Sequence, residues 1–327
     1  MAAPDGFLAI LDVGHGNCAV LRDRRGVVVI DAGPGSSLLE FLTEHKITNV
    51  DVILLSHADK DHIGGVAQLL ASKTVTIGRV CLNTDSAKGS DLWDDLLYEL
   101  GQAENRKELK FDVSLVRDDS GQFDQGDVHI EILGPSKYLA GRGPGSTDRQ
   151  GRALTSNSLS AVIRLKLNGT PIALLPGDVD EVGLDDLLSN GLEAKAPLLV
   201  YPHHGGRAGG DHKEFIEKIC RAFAPSTVVF SVARGRPKHP LPTVIELLRQ
   251  NIKLVRIVCT QLTEHCASRI PATIPKHLAN VFAQGRETRS CCGGTIVITF
   301  DDPNNLFPNR ALHRTFINSE APTGLCR

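Results

Sequence analysis

The sequence predicts an α/β protein, with the four layers of an α+β arrangement stacked as an αββα sandwich. A cysteine-containing C-terminal extension follows the sandwich. Each half of the 327-residue chain alternates short apolar strands with helical segments. Several of these strands end directly in Asp or His. Sheets flanked by helices in both halves fit a helix, sheet, sheet, helix arrangement. We expect the sandwich to span residues 1–255 and the extension 256–327 to pack on it.

The first half begins with strands that lead into a polar loop. We predict strands at Phe7 to Leu11, Cys18 to Leu21, Val27 to Ile30 and Val50 to Leu55, and helices at Leu38 to Glu44 and Ser90 to Glu108. Gly64-Gly65 and the apolar run after them predict that another helix begins there. The residues between the fourth strand and this helix are then a loop.

The second half repeats the alternation. We predict strands at Val128 to Leu133, Ser160 to Lys166, Pro171 to Leu175, Leu198 to Tyr201 and Val228 to Val232, and helices at Glu181 to Ser189, His212 to Phe223 and Pro242 to Gln250. Lys137 to Ser156 is glycine-rich and polar, which predicts a mobile surface excursion without a regular element, with a lid over the site as the alternative. Strand-like runs return at Val255 to Cys259 and Thr295 to Phe300.

Composition sets limits on the function. The 41% hydrophobic and 23% charged residues are typical of a soluble globular protein. No run approaches the roughly 18 apolar residues of a membrane span, and the start lacks a basic and apolar signal region, so we expect a cytoplasmic protein with no membrane partner. The net charge of −2 gives no global attraction to nucleic acid, whose binding would need local basic patches.

The loop after the fourth strand carries His57, Asp59, Asp61 and His62. Neighbouring pairs of imidazole and carboxylate can give one nitrogen and one oxygen to each of two cations. Two metal ions held side by side can activate a hydroxide and stabilise a leaving oxygen. The motif therefore predicts a two-metal hydrolase, against the alternative of a solvated acidic turn.

Downstream strands supply further ligand types. Asp178 follows an apolar strand in a Gly-Asp step, and His203 and His204 follow the next one in a glycine turn. His239 comes after a third strand. A lone histidine of that kind is more often structural or a substrate contact than a ligand, and both possibilities stay open for His239.

The order His-x-Asp-x-Asp-His-x-Gly-Gly, Gly-Asp, His-His-Gly resembles the metallo-β-lactamase superfamily and, within it, the nuclease-like metallo-hydrolase domain of ComEC competence proteins. The resemblance covers about residues 7 to 255. It extends to Leu11 to Asn17, Ile30 to Gly33, Glu131 to Pro135, Asn157 to Ser160 and Lys238 to Pro240.

The resemblance implies roles for these residues. His57 and Asp59 would hold the first metal and Asp61 and His62 the second. Asp178 would bridge both, and His203 would complete the second site. The residues expected around these ligands are Asp12, Asp31 and Asn157, where Asn157 stands in place of a histidine that completes the first site in many superfamily hydrolases.

Two departures from the resembled pattern bear on metal and substrate. His15 and Asn17 replace the Gln and Asp of the ComEC-like opening. Asp59 stands where many superfamily members have histidine, and an added carboxylate shifts metal preference from zinc toward manganese. We therefore expect two divalent ions, Zn or Mn.

Three functional hypotheses follow. The first is a phosphodiesterase or nuclease acting on nucleic acid or nucleotides, with Asp61, Asp178 and His239 as catalytic residues. Its expected substrate contacts are Arg234, Arg236, Lys238 and His204, the basic segment being a plain exposed loop on the alternative interpretation. The second is an acyl hydrolase such as a lactonase, thioesterase or β-lactamase-like enzyme. The third is a regulated effector subunit of a bacterial defence or signalling complex, with a protein partner.

The extension concentrates cysteines. A structural zinc could be held by some of Cys259, His265, Cys266, Cys291 and Cys292, although their spacings are not those of zinc knuckles. The alternative is a set of reduced, partly buried cysteines.

Overall fold

The structure, a computed structural model, describes residues 6–189, 191–235, 237–272, 274–307, 309–321 and 323–327. Its first sheet has seven strands: β1 (Phe7–Ile10), β2 (Cys18–Asp23), β3 (Gly26–Ala32), β4 (Asn49–Leu54), β5 (Thr76–Cys81), β6 (Lys110–Asp112) and β13 (Ile296–Thr299). Their order is β13-β1-β2-β3-β4-β5-β6. Strands β3 to β6 run parallel, and β13, β1 and β2 are antiparallel to their neighbours.

The second sheet has six strands: β7 (Val128–Gly134), β8 (Val162–Leu167), β9 (Thr170–Leu175), β10 (Leu198–Val200), β11 (Thr227–Phe230) and β12 (Arg256–Cys259). Their order is β12-β11-β10-β9-β8-β7. The strands from β9 to β12 are parallel, while β7 and β8 form antiparallel pairs.

Helices cover the outer face of each sheet. The first sheet packs against α1 (Ser37–Glu44), α2 (Lys60–Ser72) and α3 (Asp91–Asn105), and the second against α5 (Glu181–Leu188), α6 (His212–Phe223), α7 (Pro242–Asn251) and α8 (Arg310–Glu320). Strand β1 shows the alternation that produces the layers. Phe7 and Ala9 face the helices, while Leu8 and Ile10 join the core between the sheets. The αββα sandwich is confirmed.

The polar motif lies partly in a helix and not wholly in a loop. Helix α2 begins at Lys60, so Asp61 and His62 occupy its first turn. The Gly64-Gly65 pair lies inside the helix and does not mark its start. A Cβ on Gly65 would lie 2.7 Å from the carbonyl oxygen of Gly33, so the glycine permits close packing of α2 on the end of β3.

The expectation that Lys137 to Ser156 lacks regular structure is wrong. It contains α4 (Lys137–Arg142) and an isolated bridge between Thr147 and Ala153. Leu139 and Leu154 pack with Leu159 in a small core of their own. Apolar side chains spaced along a polar segment were enough to order it.

The C-terminal segment contributes to both sheets. Strand β12 pairs with β11, and β13 pairs with β1, each at a sheet edge. The division at residue 255 stays a prediction, but the sandwich is completed by strands from beyond it. Among the described residues, no helix is both long and apolar enough to cross a bilayer.

Candidate metal centre

The centre forms where the carboxyl ends of parallel strands from the two sheets meet. Ala161 N–H donates to the Ser56 carbonyl oxygen across the sheets at 2.9 Å. Gly177, with φ of +54°, lets the loop after β9 approach, since a Cβ there would lie 2.6 Å from Ser56 Oγ. Ligand-type residues after β4, β9 and β10 are therefore brought to one edge, where α/β proteins place their sites.

Four residues form a compact group. Single ligand atoms of Asp61, His62, Asp178 and His204 all lie within 4.8 Å of one another. His204 Nε2 is 3.1 Å from Asp61 Oδ2, and His62 Nε2 is 3.6 Å from Asp178 Oδ1. His62, Asp178 and His204 are buried, and Asp61 is partly exposed. The group is a mixed nitrogen and oxygen donor set with access from one side.

Asp31 holds His62 in place. Its Oδ2 is 2.8 Å from His62 Nδ1 and accepts from Ser56 Oγ at 2.9 Å, and its Oδ1 accepts from Ser56 N–H at 2.7 Å. A carboxylate on one ring nitrogen fixes the orientation of the ring and leaves the other nitrogen free to bind a metal. Asp31 thus lies against the His62 ring, and the supporting role that the sequence gives it stays a prediction.

The residues present fit a divalent metal ion. Nε2 of His57 and Nε2 of His62 are buried without a hydrogen-bond partner, which is costly unless another group binds them. His57 Nε2 lies 3.6 Å from Asp59 Oδ2, so these two form a second pair beside the compact group. Imidazole with carboxylate suits zinc, manganese or iron.

The neighbouring histidines of the third motif differ in position. The turn Pro202–Gly205 places His203 and His204 in the left-handed region, both with φ of +52°, and their side chains diverge. His204 joins the compact group and its Nδ1 is 2.8 Å from the Ser231 carbonyl oxygen. His203 lies at the edge, with Nδ1 3.7 Å from Asp178 Oδ2. His204, and not His203, belongs to the compact group, while the ligand role expected for His203 and the substrate contact expected for His204 stay predictions.

Charges within the group are paired. Burial would raise the pKa of Asp178, but the nearby His204 and His62 imidazoles hold it well below its ordinary value. Burial opposes protonation of His204, yet Asp178 and Asp61 raise its pKa above the ordinary range. Opposite charges within a few ångströms explain both directions.

Two residues of the site were missed from the sequence. His15 Nε2 lies 3.7 Å from Asp61 Oδ2, and its ring centroid lies 4.3 Å from that of His204, with the two rings tilted by 50°. Burial, with His204 nearby, lowers the pKa of His15 to about 4. Lys88 forms an ion pair with Asp59. His15 was visible as a departure from the resembled motif, whereas Lys88 had no sequence signal.

The residues expected around the ligands separate into two places. Asn157 lies beside the Asp178 loop, its carbonyl oxygen accepting from Asp180 N–H at 3.4 Å, and its side-chain oxygen is buried without a partner. Asp12 instead binds the C-terminal segment, accepting from Gln261 Nε2 and from Gly285 N–H, both at 2.9 Å. Asp12 therefore joins the segment after β1 to the C-terminal segment beyond residue 255.

The predicted substrate cations are largely engaged elsewhere. The Arg234 guanidinium donates to the carbonyl oxygens of Leu262 at 2.9 Å and Ala267 at 2.8 Å. Lys238 pairs with Glu264 at 3.2 Å, and Arg236 lies outside the described residues. His239 does lie near the centre, its ring 6.0 Å from that of His15.

A groove of about 620 Å³ begins at His15 and runs along the C-terminal segment. Its lining includes Pro34 on one side and Gln261, Gln284 and Ser290 on the other. The Gln261 amide donates to Asp12 and accepts from the Ser290 hydroxyl, so these groups hold the wall together. The segment beyond residue 255 thus builds one wall beside the centre.

Comparison with known proteins agrees with this geometry. The metallo-beta-lactamase superfamily profile matches residues 11–148. ComE operon protein 3 of Bacillus subtilis is 26% identical over 280 residues, covering 77% of this chain and 32% of that protein. The chain thus spans about a third of that relative's length.

Two further relatives match over shorter stretches. Hydroxyacylglutathione hydrolase of Shewanella loihica is 41% identical over 51 residues, which is 16% of this chain and 19% of that protein. Endoribonuclease ysh1 of Schizosaccharomyces pombe is 33% identical over 87 residues, which is 24% of this chain and 11% of that protein. Residues 11–148 therefore carry the sequence features of a metallo-beta-lactamase superfamily domain.

Proposed function

We propose that the protein is a two-metal phosphodiesterase acting on nucleic acid or nucleotides. The observation that carries the proposal is the carboxylate content of the centre. Asp61 and Asp178 lie in the compact group and Asp59 lies beside it. Oxygen-rich sites suit the hard cations that assist phosphoryl chemistry.

The donors divide into two sets around Asp178. Asp61, His62 and His204 would hold one ion, and His57 with Asp59 the other. His203 is close enough to His57 for their charges to interact, and its backbone N–H donates to Asp178 Oδ1 at 2.8 Å. Bound divalent ions would supply Lewis-acid activation of water and neutralise charge on a phosphate.

Other side chains would position the substrate. His15, neutral at pH 7 because its pKa is about 4, can donate or accept a hydrogen bond at the mouth of the centre. Lys88 supplies a cation beside Asp59. The groove past His15 can hold the part of the substrate beyond the scissile phosphate.

The short relatives point to two reaction classes. The endoribonuclease supports a phosphodiester substrate. The hydroxyacylglutathione hydrolase supports a second candidate, hydrolysis of an acyl ester or thioester by the same centre. We favour the phosphodiester because Asp59 adds a carboxylate to the centre and Lys88 places a cation beside it.

The test is a substrate panel with the whole chain loaded with Mn²⁺ or Zn²⁺. Single- and double-stranded DNA, RNA, nucleotides and bis(p-nitrophenyl) phosphate are compared with S-lactoylglutathione and a lactone. We expect phosphodiester turnover, with Asp178→Asn lowering kcat/KM by at least about 10³-fold because a metal contributes several kcal/mol.

Asp127→Asn is the matched control. Asp127 pairs with Arg24, which lies in the hairpin turn between β2 and β3. This turn is at the opposite end of the sheets from the metal centre. It should retain full turnover. Thioester or lactone hydrolysis without phosphodiester hydrolysis, lost in Asp178→Asn, would replace the first candidate by the second.

A further inference from the structure

Four cysteines that are far apart in the sequence converge behind the second sheet. Cys259 ends β12, Cys266 follows in a loop, Cys292 belongs to a vicinal pair, and Cys326 is the penultimate residue. All four belong to one apolar cluster, in which the first three are buried and Cys326 is partly buried. We define these residues as the thiol cluster.

Backbone hydrogen bonds fix the four segments against one another. Cys292 N–H donates to the Thr260 carbonyl oxygen at 3.0 Å, and Gly293 N–H donates to that of Cys259 at 2.7 Å. Thr323 Oγ1 donates to the Cys266 carbonyl oxygen at 3.0 Å. The strand end, the loop, the vicinal pair and the chain terminus therefore meet at one point.

The side chains continue this convergence. The Cys292 thiol is close enough to Cys326, Cys259 and Cys266 for their charges to interact, and Cys259 interacts in the same way with Cys266 and Cys326. The sulfurs lie farther apart than the ligands of one ion. Among the described residues, the compact group at the metal centre is the only set of three or more metal-binding side chains whose ligand atoms all lie within 4.8 Å of one another. A bound ion would require a small inward closure.

The surroundings suit a charged thiolate site. The Thr263 hydroxyl donates to Cys266 Sγ at 3.4 Å. His313 Nε2 lies 3.4 Å from Cys292 Sγ. Arg249 and Arg256 both act electrostatically on Cys326, and Nε of Arg256 is buried without a partner. Donors and cations of this kind stabilise sulfur ligands and offset their negative charge.

We propose that Cys259, Cys266, Cys292 and Cys326 bind a structural zinc ion. Four thiolates in a tetrahedron are a standard closed zinc site. On binding, each thiol loses its proton to solvent, four Zn–S bonds form, and the complex carries a net charge of −2, which the electrostatic effect of Arg249 and Arg256 on Cys326 would partly offset.

A physical need supports the site. Between β12 and β13 the described chain has one short 3₁₀ turn, Gln284–Arg286, and one isolated bridge between Gln261 and Cys291. Long irregular segments inside a compact domain are uncommon without a further constraint. A zinc ion joining residues 259, 266, 292 and 326 would supply it. The predicted ligands Cys291 and His265 do not take part, since Cys291 Sγ lies 3.6 Å from Asp12 Oδ2 and His265 is directed to the Lys238 carbonyl oxygen.

Cobalt substitution and metal analysis test the proposal on the whole chain. After removal of metal and addition of Co²⁺, we expect a thiolate-to-cobalt charge-transfer band in the near ultraviolet. The imidazole and carboxylate centre cannot give this band. Absence of the band from correctly folded wild-type protein would overturn the proposal.

Metal content of variants gives a second, independent measure. Cys292→Ser and Cys326→Ser should each lose one zinc per chain relative to wild type. Cys220→Ser, a buried cysteine on α6 in the same apolar cluster, should lose none. Cys326→Ser is the variant least prone to misfold because Cys326 is only partly buried. Unchanged zinc in Cys326→Ser would contradict the assignment, whatever the phosphodiesterase assay shows.

Discussion

The metal centre and the thiol cluster bring ligand-type residues together in opposite ways. The centre is built at the ends of regular strands, and its motif His57 to His62 is contiguous. The thiol cluster is built from four irregular or terminal segments spread over residues 259 to 326. A centre on strand ends is held by the sheets whether or not metal is bound, whereas the cluster depends on what joins its segments.

The two regions also differ in access. The Asp61 side chain is 25% exposed, and a groove begins at the adjacent His15. Cys259, Cys266 and Cys292 are at most 5% exposed. A ligand set open on one side exchanges its ion with solvent, while a buried set retains it until the surrounding structure opens.

The largest expected effect is a difference in metal loss. Brief treatment of wild-type protein with a soluble chelator should reduce hydrolase activity to background while one zinc per chain remains bound. Activity should return on addition of Mn²⁺ or Zn²⁺. The measurements are activity and metal content on the same samples over time.

Cys292→Ser is the control, since after the same treatment it should retain no zinc. Simultaneous loss of all metal from wild-type protein, at the rate of activity loss, would show that the two regions do not differ in access.

A smaller effect separates two aspartates that the sequence placed in the same role. Asp31→Asn should weaken metal binding by about 10- to 100-fold, because Asp31 orients His62. Asp12→Asn should change it by less than about 3-fold. Burial raises the pKa of Asp12, which favours the neutral carboxyl group that asparagine resembles. Its partner Gln261 lies in the C-terminal segment and not at the metal centre. Isothermal titration with Mn²⁺ measures both, and equal losses would contradict the geometry.

The layers of the fold could be predicted because the apolar residues of most strands and helices form the runs and spacings that are typical of a buried strand or helix. Strands β5 and β6 and helix α8 were missed: β5 has no continuous apolar run, β6 has only three residues, and α8 carries few apolar positions. The start of α2 was misplaced because its glycines serve packing against β3 and not chain reversal.

The site was predictable where ligands follow strands and not where contacts cross the chain. Asp61, His62 and Asp178 follow from the motif and from strand ends. The inward turn of His204 depends on two consecutive left-handed residues, which side-chain types alone do not specify. Cys326 joined the cluster from a terminus that had no motif at all.

The smallest effect distinguishes two lysines, one missed and one predicted as a substrate contact. Lys88→Ala should lower phosphodiesterase kcat/KM by about 10-fold, because the lysine pairs with Asp59 beside the centre and one charge-assisted contact contributes about 1.5–3 kcal/mol. Lys238→Ala should change it by less than about 3-fold, since Lys238 forms an exposed pair with Glu264, and such pairs contribute little. Steady-state kinetics on the best phosphodiester decide between them. A larger loss for Lys238 would move the substrate path from the Lys88 side of the centre to the segment around His239.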